Sequence, residues 1–139
     1  MSHDNKAIMQ RFYDEVVNAG NLDLIDELLS EDFVEHEEFP GLAPNRDGVK
    51  QFFAMWKGAF PDGSFTTEQM VAEDDLITAR ATVRGTHHGE FMGVPATGRT
   101  VEVEAIDIIR FADGVMAEHW GVFDALGLMV QLGAIPGPG

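Results

Sequence analysis

The apolar residues of this chain recur at helical spacing up to about position 60 and at every second position from Ser64 onward. This change of period limits the fold more than any single motif does. A 3.6-residue repeat gives a helix with one apolar stripe, and a two-residue repeat gives a strand with one apolar face. Ile8, Phe12 and Val16 follow Asp4 and Asn5, which can cap a helix over 5–18 that Gly20-Asn21 stops. Asn21 can cap a second, short helix carrying Leu22, Ile25, Leu28 and Leu29, ending before Ser30-Glu31-Asp32. Phe33-Val34-Glu35-His36 reads as a brief extended segment and 40–44 as a loop. A third helix places Val49, Phe52, Phe53, Trp56 and Phe60 on one stripe and ends at Pro61-Asp62-Gly63.

The second half predicts strands over 64–72, 76–87, 99–111 and 115–123, joined through Glu73-Asp74-Asp75 and Ala112-Asp113-Gly114. Hairpin connections make them antiparallel. Asp124 can cap a last short helix over 125–132. Helices from the first half then cover one face of a curved antiparallel sheet from the second, an α+β architecture. At 139 residues the chain fits one domain, 1–133, followed by a Pro-Gly tail, 134–139, expected to be flexible.

Charge narrows the partners. With 24 acidic residues against 9 Lys and Arg, the net charge of −15 repels phosphate backbones and anionic lipid. Neither nucleic acid nor a membrane is an expected partner. No window approaches the roughly 20 apolar residues of a membrane span, and the start, MSHDNKAIMQ, lacks a signal-peptide pattern, so a cytoplasmic location is expected. The absence of cysteine removes disulfides, a thiol nucleophile and Cys-ligated zinc.

The run GTHHGEFMGVPATGRTVEVEAIDIIRFADGVMAEHWGVFDALGLMVQLG, residues 85–133, resembles the SnoaL-like polyketide cyclase family. The opening IMQRFYDEVVNAGNLDLIDELLSEDFVEH resembles that family's first two helices. The most specific pieces are the stretch from His87 to Arg99, with its alternating Gly89, Phe91, Gly93 and Pro95, and the run from Asp113-Gly114 to Glu118-His119-Trp120. The resemblance implies a cone-shaped α+β barrel shared with nuclear transport factor 2, ketosteroid isomerase and limonene-epoxide hydrolase, often a homodimer through the outer face of the sheet. It also implies closure of a ring by intramolecular aldol condensation on a polyketide ester, without metal or cofactor. The family's acid/base carboxylate follows the position matching Trp120, which here is Gly121; a second polar pocket residue, a histidine in the family, is here Asp107.

The residues themselves nominate candidates. Val103, Ala105, Asp107 and Ile109 share one strand face, so Asp107 interrupts an apolar row. An acid in an apolar pocket makes a general base or acid near neutral pH, whereas an ion pair with Arg80 or Arg84 would make it structural. His87 shares its face with Ala79, Ala81 and Val83 and is expected to share a proton with Asp107. His119 could orient a substrate carbonyl or Asp107, or be a hydrogen-bonded core residue. His36, on the face of Val34, is expected at the cone's mouth. Tyr13, Phe53, Trp56, Phe91, Trp120 and Phe123 are candidate walls for an aromatic substrate, or ordinary core. His36, His87 and His119 lack the paired spacing of metal ligands, so no metal is expected.

Three readings follow. The first is a cofactor-free enzyme acting by proton transfer on a small, apolar or aromatic, carbonyl-bearing molecule, with Asp107 moving the proton and His87 and His119 polarising the carbonyl. The second is a non-catalytic small-molecule binding protein of the same fold. The third is epoxide or ester hydrolysis, which the epoxide-hydrolase branch achieves with paired acids and an arginine.

Overall fold

The computed structural model describes residues 2–137, the side chains of Ser2 and His3 excepted. The first helix begins earlier than its capping residues suggest: α1 spans Ser2–Arg11 and runs directly into a π-helical segment, Phe12–Asn18. There Ala19 N–H donates to Asp14 O at 3.0 Å, five residues back. The wider turn brings Phe12, Tyr13, Val16 and Val17 all into the core. Asn21 makes no side-chain cap. The expected second helix is instead a 3₁₀ turn, Leu22–Leu24, followed by one turn of α2, Ile25–Leu28.

Leu29, assigned to that helix by its spacing, opens β1, Leu29–Glu35. Helix α3, Arg46–Ala59, is capped by Asn45, whose side chain accepts from Gly48 N–H at 3.1 Å. The remaining strands fall almost where alternation puts them: β2 Ser64–Glu73, β3 Leu76–Thr86, β4 Thr100–Ala112 and β5 Val115–Phe123. Helix α4, Ala125–Gln131, is capped by Asp124, which accepts from Gly127 N–H at 2.8 Å. The reversals after β2 and β4 use Asp74 (φ 54°) and Asp113 (φ 53°), short polar residues that tolerate the left-handed region. Of the tail expected to be flexible, Pro138 and Gly139 lie outside the described residues, and Ala134 N–H is held by Met129 O at 2.9 Å.

The five strands form one sheet in the order β1-β5-β4-β3-β2. All pairings are antiparallel except β1 with β5, which is parallel and sets Glu35 beside His119. Helices cover the inner face. Under α1 and the π segment pack Ile77, Ala79, Ile109 and Met116; under α3 and α4 pack Val83, Val101, Val103 and Ala105. Phe53 and Phe65 touch both clusters. The sheet admits Phe60, fully buried, only because Gly85 lies beneath it, where a Cβ would come within 2.9 Å of the ring. Burial of such a side chain contributes about 1.5–3 kcal/mol.

On the outer face Arg80 pairs with Glu104 (3.0 Å) and Arg84 with Glu102 (2.7 Å), while Ile106 and Val122 stay exposed. Exposed pairs of this kind contribute roughly 0–1 kcal/mol each. No helix among the described residues is long and apolar enough to cross a membrane.

Candidate functional site

Between the helices and the inner face of the sheet lies a cavity of about 470 Å³. Its walls are mostly apolar, with Phe52, Phe53 and Trp56 from α3, Val103 and Ile109 from β4, Phe123 from β5, and Phe91 from the β3–β4 connection. The segment after β1 closes one side with Glu37, Glu38, Phe39, Pro40, Leu42, Ala43 and Pro44. Its ends are tied to the sheet and to each other: His36 N–H donates to His119 O at 2.9 Å, and Glu35 N–H to Pro44 O at 3.1 Å.

The polar groups gather at one spot. Asp107 projects from the middle of β4, opposite Gly121 on β5 and Ala79 on β3. Neither neighbour crowds it. Tyr13 O–H donates to Asp107 Oδ2 at 2.6 Å, and His119 Nε2 lies 2.8 Å from Asp107 Oδ1. His119 Nδ1 makes a short contact with Glu35 Oε2. An ionised carboxylate only accepts, so an imidazole between two of them donates from both nitrogens and is an imidazolium. Burial alone would lower the His119 pKa, but the hydrogen bonds to Asp107 and Glu35 outweigh it and push it up to about 10.

Burial first, and then the Asp107 charge, hold the Tyr13 phenol well above its ordinary value, so it stays protonated as a donor. Glu37 Oε1 stands 4.0 Å from His119 Nε2. Its carboxyl is pushed up to about 7, by burial above all and then by the Asp107 and Glu35 charges, with His119 partly offsetting them. Asp107 therefore has a fixed geometry, and Glu37 changes protonation near neutral pH.

The room for this convergence comes from Gly121. A Cβ there would lie 2.7 Å from Glu37 Oε1, 2.7 Å from His119 Nε2 and 2.8 Å from Asp107 Oδ1. Donor atoms of Glu37, Asp107 and His119 all lie within 4.8 Å of one another. A cation held by that set would require His119 to give up the proton that two carboxylates keep on it.

Several candidates named from the sequence line the cavity: Asp107, His119, Tyr13, Phe53, Trp56, Phe91 and Phe123. Three do not. His87 is completely buried on the far side of Phe60, with ring centroids 5.4 Å apart, and its Nδ1 faces Thr97 Oγ1 at 2.9 Å, so it shares no proton with Asp107. His36 points away from the cavity mouth, bonded to Glu118 (2.6 Å) and stacked on Trp120 at 4.9 Å. Trp120 is thereby on the outer face as well. The three histidines do not converge. Arg80 and Arg84 pair with outer-face acids, so the ion-pair alternative for Asp107 is replaced by Tyr13 and His119. Glu35 and Glu37, which sequence reasoning did not nominate, complete the group.

Residues 7–132 match the model of the SnoaL-like polyketide cyclases. The chain belongs to the SnoaL-like polyketide cyclase family. Among curated SnoaL-like relatives it is similar to the aklanonic acid methyl ester cyclase DnrD of Streptomyces peucetius, 32% identical over 126 residues, covering 86% of this chain and 84% of that one. It is also similar to the nogalonic acid methyl ester cyclase of Streptomyces nogalater, 25% identical over 118 residues, covering 84% of this chain and 88% of that one. Among solved structures, TsrD from Streptomyces laurentii superposes with a TM-score of 0.87 at 32% identity, covering 96% of this chain and 97% of that one. The cone-shaped α+β fold of the SnoaL-like and nuclear transport factor 2-like proteins is thus the fold of this chain, and a cyclase-type function comes with the family.

Proposed function

We propose that this protein is a cofactor-free ester cyclase that closes a ring in an aromatic polyketide methyl ester by intramolecular aldol chemistry, with Asp107 as the base. The observation that carries this reading is the Asp107 carboxylate, set in an apolar cavity and fixed by Tyr13 and His119 through one hydrogen bond on each oxygen. A carboxylate has about four lone-pair sites, so roughly two stay free to meet a substrate C–H. Fixing the base costs nothing at the moment of reaction, and removing bulk water strengthens its field.

A carbon flanked by an ester and a ketone loses a proton to Asp107. The resulting carbanion attacks a second carbonyl in the same molecule, and the new C–C bond leaves an alkoxide that takes up a proton. Product and substrate have the same mass. The aromatic wall of Phe52, Phe53, Trp56 and Phe91 suits a flat polycycle.

An ester suits the site better than the free acid. Glu35, Glu37, Glu38 and Asp107 line the cavity, and among the described residues no Lys or Arg does. A substrate carboxylate would meet like charge, which costs several kcal/mol when desolvated. The acids answer one requirement of the hydrolase reading, but its arginine has no counterpart among the described lining residues.

The test is incubation of the protein with aklanonic and nogalonic acid methyl esters and with the corresponding free acids. Cyclised isomers of unchanged mass from the esters, with no solvent oxygen incorporated and little turnover of the acids, are expected. Incorporation of labelled oxygen would replace cyclisation with hydrolysis. Saturable ester binding without any product would leave a binding protein.

A further inference from the structure

Ring closure needs a proton at the newly formed alkoxide as well as a base at carbon, and the groups around Asp107 are unequally suited to supply it. Both His119 N–H groups are already given to carboxylates, and the Tyr13 hydroxyl is given to Asp107. Glu37 differs. Among the described residues its carboxyl makes no hydrogen bond, and its nearest cation is His119 at 4.0 Å. It reaches into the space left by the missing side chain of Gly121, 2.7 Å from where a Cβ would stand, beside the base rather than behind it.

Its charged surroundings are Glu35 from β1, Asp107 from β4, His119 from β5 and Tyr13 from the π segment, with Glu38 next to it in the cavity wall. Helix α3 adds no charged lining residue among those described. Three of the neighbours carry or share negative charge, which favours the neutral acid form of Glu37. A carboxylate that stays a base and a nearby carboxyl that stays an acid form the division of labour that acid–base pairs use.

We propose that Glu37 is the proton donor of this site, delivering its proton to the alkoxide oxygen that forms as the ring closes; this rests on the cyclase reading above. The balance is simple. Asp107 gains the proton from carbon, and the electron pair of that C–H bond becomes the new C–C bond. The π pair of the attacked carbonyl moves to oxygen, which takes the Glu37 proton. After product leaves, solvent enters the cavity and a water carries the proton from Asp107 back to Glu37. The Glu37 carboxyl oxygen lies within 4.8 Å of the Asp107 oxygen, a span that one water bridges, and both groups are restored without any co-reactant. Protonation of Glu37 up to about pH 7 is consistent with that role.

Two readouts on the full chain test it. The first is the pH dependence of aklanonic acid methyl ester cyclisation by wild type and Glu37→Gln. Glu37→Gln preserves size and should fold normally, lower kcat by about a hundredfold, leave KM within about twofold, and abolish the alkaline fall in kcat that wild type shows above about pH 7. The second needs no substrate: a carbon-13 NMR titration of the side-chain carboxyls, with Glu37 assigned by its loss in the variant, should place its midpoint near 7.

Unchanged kcat and pH profile in the variant, or a Glu37 midpoint near the ordinary 4.5, overturns the proposal. If wild type turns over no ester, the cyclase reading fails separately. A midpoint near 7 would then still show Glu37 held in its acid form beside Asp107, without the ring-closing role, and one near 4.5 would overturn it as a donor altogether.

Discussion

Tyr13 shows what one residue contributes to this site. Its hydroxyl is the donor that fixes Asp107 Oδ2, and its ring is buried in the π-helical turn. Tyr13→Phe keeps the ring and removes only the donor, leaving a half-buried carboxylate short of a partner. A loss of roughly 1–3 kcal/mol in urea unfolding is expected, with an unchanged far-ultraviolet spectrum. Equal stability of the two proteins would show that Asp107 does not depend on Tyr13. Asp107 was legible in the sequence because an acid in an otherwise apolar alternating row stands out. Glu35 and Glu37 were not. Phe33 and Val34 are both apolar, so alternation alone does not say whether Phe33-Glu35-Glu37 or Val34-His36 faces inward. The parallel pairing with β5 settles it, placing Glu35 against His119 and turning Val34 and His36 out.

The elements that hold the cavity wall depend on one close approach. A Cβ at Gly48, in the first turn of α3, would meet Ala43 O at 1.8 Å, a backbone atom of the segment that carries Glu37 and Phe39. Gly48→Ala therefore forces that segment off the helix. The expected cost is about 1–3 kcal/mol, the usual scale of overpacking, with a raised KM for the ester. A melting point and KM equal to wild type would show that the segment yields freely. Strand alternation also explains the misplaced Trp120. Neighbours on a strand face opposite ways, so His119 and Trp120 could not both line the cavity; His119 turns in, and Trp120 turns out to stack on His36. His87 sits on the apolar side as its spacing indicates, but the chain leaves β3 at Thr86. Phe60 packs against the ring, and Thr97 takes its Nδ1.

At the scale of the whole molecule, the order of helices and strands and the hairpin reversals followed from the change of period, because those features are local. The π-helical turn, the early start of β1 and its parallel pairing depend on contacts far apart in sequence. The assembled site in turn gives stability a pH dependence. His119 has its pKa raised from 6.5 to about 10 on folding, so the stability it contributes is full below about pH 6.5 and is lost as pH rises toward 10. Glu37, raised from 4.5 to about 7, adds a loss of the same sign between those two values. Unfolding free energy by denaturant titration should therefore decline from pH 5 to pH 10, and Glu37→Gln should flatten only the portion below about pH 7. A flat profile from pH 6.5 to 10 would contradict the imidazolium between Asp107 and Glu35.

Asp107 as the base is tested by the turnover number of Asp107→Asn on aklanonic acid methyl ester beside wild type, both with native circular dichroism. Asparagine can still accept from Tyr13 but cannot take a proton from the substrate carbon, so cyclisation by wild type and a loss of at least about a hundredfold in kcat for the variant are expected. A folded Asp107→Asn protein that cyclises the ester at the wild-type rate would remove Asp107 as the base.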